Sequence, residues 1–273
     1  MNFLSSRNIF CFLLALICFV DLAFAQKYDS PYEMSWVKDG PWMGGALATA
    51  AGGFLIIQGK EGSTPEEIMN LDKDNVPFFD RWSAGYHDEQ ASKISDIPFA
   101  VSFAVPVAMM LVNDRENDNF GQIGLMYVET LATTAALFTM SAGLTDRIRP
   151  RAYSDDISIE TRTKSTNTRS FYSGHTAAAA TATFFAAKVY SDFHPEAEGK
   201  WILWTGAAAI PAAIGALRLK AGQHFLSDVA LGYVLGATTG ILVPELHKKK
   251  NDAFGFSPII SPEYKGMYLA YRF

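Results

Sequence analysis

Cysteine is nearly absent from this 273-residue chain: Cys11 and Cys18 are the only two, and both lie within the first twenty-five positions. Beyond that segment there can be no disulfide, no thiol nucleophile and no thiolate zinc site. Net positive charge is lacking too. The formal charge is −5 at pH 7, which argues against a nucleic-acid partner. No internal repeat or low-complexity block breaks the sequence. Mean hydropathy is only +0.08, a value that fits a membrane bundle as well as a soluble one.

The first twenty-five residues read as an export signal. Arg7 gives a basic start, Ile9 to Val20 are almost wholly apolar, and Ala23-Phe24-Ala25 precedes Gln26 as a small-residue cleavage site. A retained anchor helix is the alternative. Residues 26–96 then form an N-terminal helical and loop region, 97–247 a helical bundle, and 248–273 a C-terminal tail.

Sparsely charged stretches mark the helices. Met43 to Gln58 is built from Gly and Ala and reads as a packed helix or a weak span. Thr64 is placed to cap a helix opening on Pro65-Glu66-Glu67. Apolar helices follow over 97–112, 122–144 (carrying Glu129), 174–191, 200–217 and 225–247. Asn113 to Asn119 reads as a solvated turn. Gly232, Gly236 and Gly240 recur every four residues, a spacing that lets helix backbones approach closely. The expectation is an all-α bundle of about six core helices, embedded in a membrane. The end of the tail, from Met267, reads as a short strand or a docked segment.

Three clusters carry the chemistry, each at the edge of an apolar helix. Arg147-Ile-Arg149-Pro150-Arg151 follows the helix ending near Leu144, Ser170-Phe-Tyr-Ser173-Gly174-His175-Thr176 opens the next, and Arg218 precedes His224 and Asp228. Short connections between up-and-down helices bring all three to one end of the bundle. A helix N-terminus at Ser173 and Gly174 is a ready anion site, and Arg149 and Arg218 can clamp phosphoryl oxygens. His224, oriented by Asp228 four residues on, would attack phosphorus. His175 would protonate the leaving oxygen and later activate water. Each residue also has a plain reading: a histidine at a helix start is often a cap, and Asp228 can simply pair locally. A zinc site at His175, His224 and Asp228 is disfavoured by the arginines, which would repel a cation. His87, His194 and His247 have no comparable neighbours and read as structural or surface residues.

The three clusters resemble the signature of the type 2 phosphatidic acid phosphatase (PAP2) superfamily, which includes lipid phosphatases, bacterial acid phosphatases and vanadium haloperoxidases. That signature runs Lys-x6-Arg-Pro, Pro-Ser-Gly-His and Ser-Arg-x5-His-x3-Asp. Arg149-Pro150, Ser173-Gly174-His175 and Arg218-x5-His224-x3-Asp228 match it in order and spacing over roughly 142–243. The resemblance implies a cofactor-free, metal-independent phosphatase acting through a phosphohistidine. Phosphatidate, isoprenyl diphosphate, lipid A or simple phosphomonoesters are the implied substrates. Ala142 stands where the signature has lysine, Tyr172 where it has proline and Leu217 where it has serine. Arg147 is the expected substitute for the lost cation.

The alternatives are a soluble periplasmic acid phosphatase, a vanadium haloperoxidase and a non-catalytic envelope protein that binds anionic lipid. Lys248 to Lys250 suggest a cytoplasmic end for the last helix, with the reactive edge toward the periplasm of a bacterial envelope. The sequence carries no sign of oligomeric state.

Overall fold

The computed structural model describes residues 28–249 with their side chains, and the backbone of 254–260 and 265–271. The export segment expected at 1–25 lies outside the described residues. Six long helices form the bundle: α1 (Trp36–Gln58), α2 (Glu89–Val112), α3 (Phe120–Leu144), α4 (Gly174–Phe193), α5 (Lys200–Lys220) and α6 (Leu226–His247). The tail forms an antiparallel hairpin, Phe254–Ile260 with Lys265–Tyr271.

Two helices begin earlier than their hydropathy indicates. Asp88 caps α2 by accepting the Ala91 N–H, so the helix starts in a polar segment, well before Pro98. The α1 helix starts at Trp36, where the Asp39 carboxylate reaches back to the Ser35 N–H at 2.6 Å. It then runs parallel to α3, with Trp42 Nε1 on Thr133 and Gly53 against Thr139. The Met43 to Gln58 stretch is therefore part of a full-length bundle helix. The expected cap at Thr64 is present as a reciprocal capping box with Glu67. Asn113 to Asn119, by contrast, is no solvated turn. It winds into a helical turn, Asp114–Asp118, whose fully buried Glu116 pairs with His194.

Helix α4 is the central element. Its Ala- and Thr-rich surface is buried by its neighbours: Thr134 of α3 bonds Thr181, and Thr183 reaches the Ala207 carbonyl of α5. Against α6 the packing is closer. A Cβ at Gly236 would lie 2.1 Å from the Ala177 carbonyl oxygen, and one at Gly240 would lie 2.6 Å from that of Thr181. Only glycine permits backbones to meet so closely. Tyr32, Met110, Met126, Tyr127, Phe185 and Val243 fill the core at the end away from the three clusters.

The other five helices are long and apolar enough to cross a membrane. Exposed Trp36, Trp42 and Trp201 mark one end, and Phe78, Phe79 and Trp82 mark the other. Aromatic residues at both rims suit the two interfaces of a bilayer. Helices α2, α4 and α6 start at the second of these ends, where α1, α3 and α5 finish. It is the reactive edge. Trp36 and Lys248 consequently lie together at the opposite end, where Tyr32 pairs with Lys248.

Candidate active site

The reactive edge is built from the connection between α3 and α4, the turn between α5 and α6, and the polar segment before α2. Arg147 pairs with Arg169 in an isolated bridge that pins the first of these connections upon itself: the Arg147 N–H donates to Thr168 and the Arg149 N–H to Asn167. Gly222 closes the second turn at φ +64°, packed directly against the Tyr86 carbonyl.

His224 is buried at the centre. Its Nδ1–H donates to the Ser170 carbonyl at 2.7 Å, leaving Nε2 with a free lone pair. Burial, followed by the charges of Arg149 and Arg218, holds its pKa well below the usual histidine value, so the ring stays neutral. Asp228, expected to orient this ring, does something else. Helix α6 begins only at Leu226, so His224 lies outside it and the four-residue helical spacing does not apply. The Asp228 carboxylate instead accepts from the Phe225 N–H at 2.9 Å and the Ser170 hydroxyl at 2.6 Å. It thereby fixes the residue whose carbonyl holds His224, one step removed from the imidazole.

Arg147 also departs from expectation. Its guanidinium donates to the carboxylates of Asp228 and Asp80, the latter at 2.7 Å, and to the Ser227 hydroxyl. It lies over the Phe225 ring as well. With two buried carboxylates claiming it, Arg147 braces the loop against the start of α6, and its guanidinium is directed at these partners. Lys60 approaches the Ala142 position, donating to the carbonyls of Ala142 (2.9 Å) and Thr145 (2.7 Å). There it satisfies the C-terminal end of α3, where a cation suits the helix dipole.

The pocket charge comes from four arginines. Arg149, Arg151, Arg169 and Arg218 each bury an Nε with no hydrogen-bond partner. Their proximity is felt: burial first, then Arg218, Arg169 and Arg151, lowers the Arg149 pKa to about 9. Arg149 is oriented by Gln223, and Arg218 reaches Ser92 and Ser95 at 3.4 Å. Arg149 and Arg218 act electrostatically on both His175 and His224. His175, half-buried in the first turn of α4, stacks on Phe99 and sets Nε2 3.5 Å from Asp96 Oδ1. The same oxygen is 3.9 Å from Arg218. Ser173 is fully buried and engages Thr176 in capping α4, leaving the first-turn N–H groups near Gly174 as the anion donors. A cleft of about 480 Å³ opens beside these groups, lined by Ser92, Lys93, Arg151 and Gln223.

The fold brings Arg149 and Arg218 to His175 and His224, with Arg151, Arg169, Gln223 and Ser170 beside them. Asp80 and Asp96, which pair with Arg147 and His175, were not singled out in the sequence. Arginines acting on two imidazoles, one of them buried and neutral, make an electropositive site that can bind a tetrahedral dianion and present it to a ring nitrogen. Residues 123–252 match the model of the PAP2 superfamily. No curated protein and no solved structure matches the chain.

Proposed function

We propose that this protein is a metal-independent phosphatase of the PAP2 superfamily that hydrolyses a phosphorylated membrane lipid through a phosphohistidine. The observation that carries the reading is a set of four arginines with buried, unpartnered Nε atoms, of which Arg149 and Arg218 act on His175 and His224 and Arg151 and Arg169 act on Arg149. Such donors lack acceptors until an anion supplies them, and a phosphoryl group has the oxygens to do so.

In the proposed reaction Nε2 of His224 attacks phosphorus while the P–O bond to the leaving group breaks. His175, with Asp96 beside the ring, gains a proton once the bound dianion offsets Arg218, and gives that proton to the departing oxygen. His175 then takes a proton from water, which attacks the phosphohistidine, releases phosphate and restores His224. Arg149, Arg151, Arg169 and Arg218 stabilise the equatorial oxygens throughout. The apolar exterior supports a lipid substrate, as phosphatidate, isoprenyl diphosphate or lipid A would be, over a soluble phosphomonoester.

Purified protein in detergent with EDTA should release phosphate from one of these lipids, and His224→Ala should abolish release. Vanadate-dependent bromide oxidation in place of hydrolysis would point to a haloperoxidase. Neither activity would leave an anionic-lipid-binding protein and overturn the proposal.

We place the domain in a bacterial envelope with the reactive edge toward the periplasm, on the strength of the basic flank at Lys248 and Lys249. With α1 crossing the bilayer, the start of α1 shares a side with Lys248, and this orientation favours a retained anchor over a cleaved signal at 1–25. Thiol labelling of an Asp156→Cys variant in intact cells supports the orientation. Labelling only after permeabilisation reverses it.

A further inference from the structure

A second constellation sits at the end of the bundle remote from the phosphate pocket. Asp39 in the first turn of α1, Glu129 on α3 and His247 at the end of α6 each offer one ligand atom, all within 4.8 Å of one another. Nε2 of His247 is 3.4 Å from Glu129 Oε2 and 3.5 Å from Asp39 Oδ1. The His247 and Glu129 side chains are only 7% and 5% exposed. Neither His247 Nε2 nor Glu129 Oε2 has a hydrogen-bond partner.

The imidazole is already oriented. Its Nδ1–H donates to the Val243 carbonyl at 2.8 Å, which leaves the lone pair of Nε2 directed at the carboxylates. Asp39 likewise uses one oxygen, Oδ2, for the Ser35 N–H and keeps Oδ1 for the cluster. Two anionic oxygens facing Nε2 repel one another unless something positive lies between them, a ring proton or a cation. The spacing suggests what does. Bonds of about 2.0–2.2 Å to a tetrahedral cation set neighbouring ligand atoms roughly 3.3–3.6 Å apart. A divalent charge also cancels the two carboxylates, which matters in a low-dielectric interior.

We propose that Asp39, Glu129 and His247 bind a divalent transition metal, zinc(II) foremost. One nitrogen and two oxygens suit zinc and leave a fourth position for water. The metal fastens α1, the most exposed of the long helices, to α3 and α6. Its role is structural, at a distance from the phosphate chemistry.

The full chain in detergent, stripped with EDTA and dialysed against zinc(II), should retain one zinc by elemental analysis, and its unfolding midpoint should rise. His224→Ala should retain the same stoichiometry, which assigns the zinc away from the reactive pocket. His247→Gln and Glu129→Gln should lose both the bound zinc and the rise. Where a buried variant fails to fold, Asp39→Asn should weaken zinc binding at least about tenfold. No zinc in the wild type, or unchanged binding in these variants, would overturn the assignment. A midpoint that rises on acidification without responding to zinc would assign the cluster to a shared proton instead, which also overturns it. Because metal is counted without turnover, the outcome is independent of whether the domain is a phosphatase.

Discussion

Replacing Arg147 by methionine separates a structural strut from a substrate ligand. The substitution preserves length and apolar packing against Phe225 but leaves Asp80 and Asp228, both fully buried, without their cation. Removing one partner of a buried ion pair costs about 3–5 kcal/mol. Arg147 is itself 22% exposed, so the lower part of that range applies. Against a native stability of roughly 5–15 kcal/mol the loss is large. At about 2–4 °C per kcal/mol for a chain of this size, the unfolding midpoint should fall by roughly 6–12 °C. Adding Asp80→Asn removes one orphaned charge and keeps an acceptor for Ser227, so part of the loss should return. In the folded fraction, kcat should fall because Asp228 no longer fixes Ser170 and His224, while KM stays within about threefold. An unchanged midpoint together with a KM raised tenfold or more would refute this reasoning and make Arg147 a phosphate ligand.

Three further outcomes follow from the same geometry. Asp96→Asn should lower kcat about tenfold and shift the pH profile, because the His175 imidazolium loses its neighbouring carboxylate; an unchanged profile would remove Asp96 from the mechanism. The depressed His224 pKa means that the unfolded chain binds a proton the native chain refuses. Stability must therefore decline as pH falls below about 6.5, by at most about 1.4 kcal/mol per pH unit from this group. Thermal unfolding of His224→Gln should show a shallower acid decline, and an identical slope would exclude the group as its source. Gly236→Val should lower the midpoint sharply or prevent folding, since its Cβ would collide with the Ala177 carbonyl; wild-type stability would mean that α4 and α6 pack differently.

Hydropathy and motif spacing made much of this molecule legible. The apolar stretches lie where the six long helices form, and the glycine spacing marked the face on which α6 meets α4. Local polar chemistry was harder to read. The start of α2 was hidden because Asp88 caps a polar turn that hydropathy assigns to a loop, and that error concealed Asp96 on the same helix. Asp228 misled for the opposite reason. A four-residue spacing implies a shared face only inside a helix, and His224 precedes α6. Asp80 and Glu116 gave no signal, because a buried carboxylate is recognised by the cation that the fold brings to it.

The position of Ala142 shows how a lost charge can be redistributed. Ala142 is fully buried, and the cation reaching its neighbourhood, Lys60, arrives from the end of α1 and serves helix carbonyls. Pocket charge comes instead from Arg151 and Arg169, on the connection that also carries Arg149. This solution is not free. Burial, and then repulsion from the crowded guanidinium groups of Arg218, Arg169 and Arg151, lowers the Arg149 pKa to about 9. Their buried Nε atoms forgo hydrogen bonds meanwhile. Under the proposed reaction both penalties would be relieved together by a bound dianion, most of all where phosphoryl charge is most spread out. A lysine would supply a point charge, whereas arginines supply planar forks that distinguish a trigonal bipyramidal group from a tetrahedral one. In the proposed phosphatase this arrangement would keep positive charge at the pocket while making its placement depend chiefly on the loop that carries Arg149, Arg151 and Arg169, with Arg218 added from the end of α5.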